Sequence, residues 1–262
     1  TYRDAKGFEH SKVALSVGVQ LMVRAGKGGS GVMFSIDTET GFEHGVLINA
    51  VWGLGENIVR GLVDPDEYVV FKPLGDKPKL VPIIEKKLGA KAIKLMYASR
   101  DEQRTRNVPT SKAESESFVL KDGEILQLAR WAVIIERHYG MPMDMEWARD
   151  GGSGKMFIVQ ARPETVQSQR KQGLLKTYRL RKKGCRILKG LSVGEVIVTG
   201  TVRIVRKPGE LVDFPQGAIL VAETTDPDWV PLMKRAAAIV TDHGGRTSHA
   251  AIVSREMGLP AV

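Results

Sequence analysis

Thr241-Asp-His-Gly-Gly-Arg-Thr-Ser-His249-Ala-Ala-Ile-Val-Ser-Arg-Glu-Met-Gly-Leu-Pro-Ala261 decides how this chain is read. A histidine follows a Gly-Gly pair and opens a helix-forming run. A neutral imidazole there can attack phosphorus and hold the phosphoryl group as phosphohistidine. Its ordinary pKa near 6.5 leaves a lone pair free at neutral pH. Gly244 and Gly245 let the backbone approach a ligand with no Cβ in the way. From Ser248 the sequence reads as a helix, with Gly258 as its C-terminal stop and Pro260 just beyond. Amides at that helix start would face a phosphate dianion. Gly244, Gly245, Arg246 and Ser248 are therefore the candidate phosphate-stabilising residues around His249. A lone histidine beside glycines is more often an ordinary turn or surface residue, and the spacing alone does not decide between that and a carrier.

The residues before this stretch supply the rest of a second unit. Ala218-Ile-Leu-Val221 and Ala237-Ala-Ile-Val240 read as buried strands, with a helix over Asp228 to Arg235 between them after Pro227. Val196-Ile-Val and Val202-Arg-Ile-Val flank Thr199-Gly200-Thr201 and predict a hairpin. His249 then lies on a loop after a strand, where sites in α/β folds gather.

Upstream the pattern changes. Strands are predicted in Val13–Val23, Gly31–Ile36, Val46–Val51 and Asp64–Phe71, with a glycine-rich turn at Ala25–Gly31. Another such turn, Gly53–Gly61, opens a short helix. Residues 75–113 read as strands with charged surface loops, and 122–139 as an amphipathic helix stopped by Gly140-Met-Pro142. Met143–Ala148 and Lys155–Arg162 are partner strands across Asp150-Gly-Gly-Ser-Gly154. Residues two apart on a strand share a face, so Gln160 and Arg162 point the same way, and Glu146 joins them if the strands pair. A carboxylate and an amide oxygen suit Mg²⁺, and Arg162 offers a planar fork for phosphate. An ordinary exposed cross-strand pair is the competing explanation.

These strings resemble a known family. Gly-Gly-Arg-Thr-Ser-His-Ala-Ala-Ile-Val-Ser-Arg-Glu is similar to the signature of the swivelling phosphohistidine domain of phosphoenolpyruvate-utilising enzymes. That family includes phosphoenolpyruvate synthase, pyruvate phosphate dikinase and the phosphotransferase-system enzyme I. Asp144-Met-Glu146-Trp and Ile158-Val-Gln160-Ala-Arg162-Pro163 resemble the end of the ATP-grasp domain of the synthase. So do Ser30-Gly-Val-Met-Phe-Ser-Ile-Asp-Thr-Glu-Thr-Gly41, Gly53-Leu-Gly-Glu-Asn57 and Asp64-Pro-Asp-Glu-Tyr-Val-Val-Phe-Lys-Pro73.

The resemblance covers essentially the whole chain and implies an α/β (α+β) fold in three parts. Residues 1–167 would be the C-terminal part of an ATP-grasp nucleotide-binding domain, 168–189 a basic linker, and 190–262 a truncated swivelling phosphohistidine β/β/α domain. His249 would be the carrier, Glu146 and Gln160 the metal and nucleotide ligands, and Arg162 a phosphate contact. Asp144 matches less firmly, and Thr247 falls where some relatives are regulated by phosphorylation. The implied activity is formation of phosphoenolpyruvate from ATP, pyruvate and water, with Mg²⁺ as cofactor and AMP and phosphate as products.

The resemblance also places the front of the ATP-grasp domain and the pyruvate-binding barrel outside these residues, so the piece alone is expected to be inactive. Pyruvate phosphate dikinase and a rifampicin-type antibiotic phosphotransferase are the alternatives, and a non-catalytic binding or assembly module is the alternative of another class.

Composition sets the remaining bounds. The chain has 262 residues, of which 42% are hydrophobic, enough for one or two cores. No apolar run approaches the roughly 20 residues that span a bilayer. A single cysteine, Cys185, excludes an internal disulfide and fits a reducing cytoplasm. Thr165 to Gly194 holds nine Lys or Arg and no acid, which equals the whole net charge of +9. Only Tyr178 could stack on a base there, so nucleic acid is not expected as a partner. No membrane partner is expected either; a homo-oligomer is.

Overall fold

The computed structural model describes residues 17–38, 41–74, 80–98, 105–164, 185, 187–194, 196–208, 214–245 and 248–262. Its larger unit is a six-stranded antiparallel sheet in the order β4-β3-β2-β1-β7-β8. The strands are β1 (Gly29–Phe34), β2 (Gly45–Trp52), β3 (Asp66–Phe71), β4 (Ile83–Lys87), β7 (Met143–Arg149) and β8 (Met156–Pro163). β5 (Ile93–Tyr97) and β6 (Thr105–Pro109) form a separate two-stranded ribbon. β1 lies inside the sheet and all six of its residues are buried. Gly31 is required there by close approach: a Cβ would fall 1.8 Å from the Asn49 carbonyl oxygen.

One face of this sheet packs against a long helix. The short α1 (Glu56–Val59) and α2 (Lys112–Ser115) precede it, and α3 spans Asp122–Tyr139 as the sequence predicts. The Glu124 carboxylate accepts from the Lys121 amide at 2.8 Å, and Gly140 ends the helix at φ 69°. Ile125, Leu128, Ala129 and Ala132 recur at helical spacing and pack on Met33, Ile48, Tyr68, Met145 and Trp147. The opposite sheet face carries Val32, Phe34, Leu47 and Val51, covered by Ile58 of α1 and by Val63. Under the sheet edge, fully buried Lys91 donates to Asp66, which also accepts from the amides of Gly89 (2.9 Å) and Val119 (2.8 Å).

The smaller unit is a parallel three-stranded sheet, β9 (Val202–Ile204), β10 (Ile219–Ala222) and β11 (Ala238–Thr241), with β10 in the middle. α4 (Val230–Met233) and α5 (His249–Met257) complete it. Leu220, Leu232, Met233, Ile239 and Ala251 form its core. Ser248 caps α5 through its side chain, and Gly258 closes the helix at φ 67°.

Four expectations need correction. Thr199-Gly200-Thr201 makes no hairpin: β9 pairs in parallel with β10, and 196–200 is irregular. A two-residue hairpin turn would need positive φ, and Gly200 does not have it. Val13–Val23 is described only from Val17, and from there to Val23 it forms no strand; Val17, Val19 and Leu21 are exposed. A single tie, from Gln20 Nε2 to the Val159 carbonyl at 3.2 Å, replaces a ladder. The helix expected over Asp228–Arg235 is a 3-10 turn at Pro227–Trp229 followed by one α turn. The glycine-rich turn at Ala25–Gly31 is shorter, because β1 already begins at Gly29.

Most of the basic segment at 168–189 lies outside the described residues, as do Arg246 and Thr247. Cys185 is free and exposed. Among the described residues no helix is long and apolar enough to cross a membrane.

Candidate active site

The β7–β8 hairpin aligns the candidate nucleotide residues by register. Glu146 stands directly opposite Gln160, and Asp144 opposite Arg162. Directly opposed residues share a face, so all four point away from α3. A bulge makes this possible. Met156 and Ile158 face the helix side with Arg149 and Trp147, and strict alternation would keep Gln160 there too. The register shifts between Glu146 and Trp147, which leaves Val159 without a cross-strand partner and turns Gln160 and Arg162 to the other face.

The row continues beyond the hairpin. Glu146 pairs with Val32 on β1, and the register that sets Met33 against Ile48 brings Asn49 beside Val32. Asn49 pairs with Glu67, and Glu67 with Lys87. One line of residues thus crosses all six strands, polar everywhere except at Val32.

Charges at the hairpin are not at rest. Arg162 Nε donates to Asp144 Oδ2 at 2.7 Å. Burial nonetheless pushes the Asp144 carboxyl above its usual range, against the pull of Arg162. Burial and the neighbouring Asp144 raise Glu146 in the same way. Carboxylates held out of water favour a cation partner. Among the described residues no group of three or more His, Cys, Asp or Glu converges as a dedicated metal cage. A Glu146 carboxylate with the Gln160 amide oxygen does fit Mg²⁺, which needs few protein ligands when phosphate oxygens and water supply the rest. Beside Glu146 a slot of about 260 Å³ is lined by Leu21, Val23, Leu54, Val59 and Tyr97. It is the size of a small ring system.

His249 starts α5 at the carboxyl end of the parallel sheet, where loops after β10 and β11 meet. The β10 loop supplies Thr225, whose Oγ1 lies 3.0 Å from His249 Nδ1. Nε2 is thereby the ring nitrogen left for chemistry. Burial lowers the His249 pKa and outweighs the opposing pull of Asp226 and Glu256. The fold thereby favours the neutral imidazole.

Gly244, at φ 121°, sits where a Cβ would come 2.8 Å from Ser248 Cβ. Gly61 of the larger unit, at φ 68°, has the same relation to Ser248 at 2.6 Å, and Gly245 lies against Pro65. The histidine end of α5 is therefore seated on the loop after α1.

Sequence reading missed Thr225, Glu256 and the slot residues. Thr225-Asp226-Pro227 after a buried strand carried a usable signal, since Asp226 caps the turn that follows and fixes the loop. The slot had none, because its lining comes from segments far apart in the chain.

Residues 1–182 match the family model described as pyruvate phosphate dikinase, AMP/ATP-binding domain. The chain belongs to that family. Residues 214–262 match the mobile domain of PEP-utilising enzymes. The chain is 53% identical over 268 residues to the phosphoenolpyruvate synthase of a Synechocystis species, covering 100% of this chain and 33% of that protein. The Aquifex aeolicus phosphoenolpyruvate synthase is 53% identical over 272 residues, covering 100% of this chain and 32% of its own length. The Escherichia coli protein of that name is 47% identical over 268 residues, again across 100% of this chain and 33% of its own. The chain spans about a third of the length of the curated relatives it matches.

Proposed function

We propose that these residues bind the nucleotide and carry the phosphoryl group in an enzyme that makes phosphoenolpyruvate from ATP, pyruvate and water. The observation that carries this reading is a part-buried histidine at the start of a helix that lines one cavity with Asp144 and Arg162, on the sheet face that also bears Glu146 and Gln160. In it, residues 1–167 act as the C-terminal part of an ATP-grasp domain, 168–189 as a linker, and 190–262 as the swivelling carrier.

His249 Nε2 attacks the β-phosphorus of ATP; the N–P bond forms as the bond to the AMP oxygen breaks. Thr225 fixes the ring through Nδ1, so that the attacking lone pair is aimed before reaction. Arg162 offers its fork to the transferring phosphates, and Asp144 holds that fork in plane. Glu146 and Gln160 would hold Mg²⁺, which supplies charge neutralisation to the phosphate oxygens. Gly244, Gly245 and the capped α5 start surround the phosphoryl group, with Ser248 as cap. Water then removes the outer phosphate, and the inner one passes to pyruvate. Splitting one hard transfer into two is what a covalent carrier gains.

The intact protein is incubated with ATP labelled at the β-phosphate, and acid-labile protein-bound label is followed. Label is expected in the wild type and absent in His249→Ala. Label retained by that variant would defeat the assignment.

A further inference from the structure

The C-terminal end of α5 has no part in the steps above, yet it faces the same arginine. His249, Ile252 and Glu256 lie at positions i, i+3 and i+7, two turns on one helix face. That face closes one side of a cavity of about 330 Å³, where Ile252, Arg255 and Glu256 meet Asp144, Arg162 and Glu164. Arg162 spends its Nε donor on Asp144, and its side chain is still 58% exposed. Its remaining N–H groups make no hydrogen bond among the described residues. Glu256 is exposed as well, and forms no ion pair within 4.0 Å among the described residues. Its charge is felt by both Arg162 and His249, raising the proton affinity of each.

We propose that Glu256 is a positioning residue, a carboxylate that stands in for nucleotide phosphate at Arg162 and latches the far end of α5 until nucleotide displaces it. The two ends of the helix then have different tasks. The Ser248 end stays seated on Gly61, keeping His249 at the site. The Glu256 end is held by attraction across the cavity that both side chains line, which phosphate oxygens on Arg162 turn into repulsion. Nucleotide and latch compete for one guanidinium, so each weakens the other by the same factor. The inference rests on the phosphate role proposed for Arg162, but the latch itself can be measured without nucleotide.

Amide hydrogen exchange over Ser254–Gly258 and the affinity for MgATP are measured on the intact protein for wild type, Glu256→Gln and Glu256→Asp. In the wild type, MgATP is expected to speed exchange over that turn. Glu256→Gln should exchange faster before nucleotide is added and bind MgATP about two- to fivefold tighter, the scale of an exposed pair. Glu256→Asp should restore part of both effects. Gly61→Val, whose side chain collides with Ser248, supplies the unseated reference. The tighter binding should vanish at high salt, which a packing effect would not do. Identical exchange in wild type and Glu256→Gln overturns the latch. Were MgATP to bind none of these proteins, the nucleotide reading would fail, and the exchange comparison without nucleotide would still decide the latch.

Discussion

At the scale of single residues, the environment of His249 sets its chemistry. Burial makes the imidazolium costly, so the folded pKa lies below that of the unfolded chain. Between the two values the unfolded chain binds more protons. This group's contribution to stability is therefore present above about pH 6.5 and is lost as pH falls. The same shift keeps the proposed nucleophile deprotonated. The rate of label uptake at His249 should stay level from pH 8 down to about 6.5 and decline only below; a decline that begins above pH 7 would contradict the neutral ring. Asp144 and Glu146 are shifted the other way by burial, so acid protonates them early. MgATP affinity should accordingly weaken at a higher pH than ordinary carboxylates would give, measured by titration calorimetry.

At the scale of elements, the bulge in β8 does what no side chain there could do alone. Met156 and Ile158 feed the core, and Gln160 and Arg162 feed the site, because Val159 is inserted between them. Deleting Val159 should return Gln160 and Arg162 to the α3 face and abolish nucleotide binding; full MgATP affinity in the deletion would show that the bulge is dispensable. Asp66 poses the opposite problem, a charge buried without solvent. It is met by Lys91 and two backbone amides, and Lys91 accepts a positive φ of 43° to reach it. Lys91→Met leaves that carboxylate uncompensated and should cost about 3–5 kcal/mol in urea unfolding. A loss within error of zero would mean that the Gly89 and Val119 amides satisfy Asp66 without Lys91.

At the scale of the whole molecule, two cores of different architecture meet at small contacts: Gly61 on Ser248, and Pro65 on Gly245. Such junctions separate more readily than a core, which suits the carrier role proposed for the smaller unit. The acceptor site is expected in the two thirds of the relatives' length that this chain does not span. Supplied with ATP, Mg²⁺ and pyruvate, the 262 residues alone should therefore form no phosphoenolpyruvate in a coupled assay. Turnover at the rate of an intact enzyme would place the acceptor site within them.

Local periodicity and capping are written in the amino-acid order. Helix α3 was legible from its apolar spacing between Lys121 and Gly140, α5 from Ser248 and Gly258, and the hairpin from alternating strands around Asp150–Gly154. The histidine was legible because its neighbours in sequence are also its neighbours in space. Features that depend on partners far along the chain emerge with the folded sheets. Val202–Ile204 joined a parallel sheet because β10 offered a ladder that a local turn at Gly200 did not. Val17–Val23 stayed irregular because alternation supplies a face to bury but not a strand to pair with. Thr225 reached His249 across 24 residues, and Glu256 came to line one cavity with Arg162, through placements that arise only once both sheets have formed.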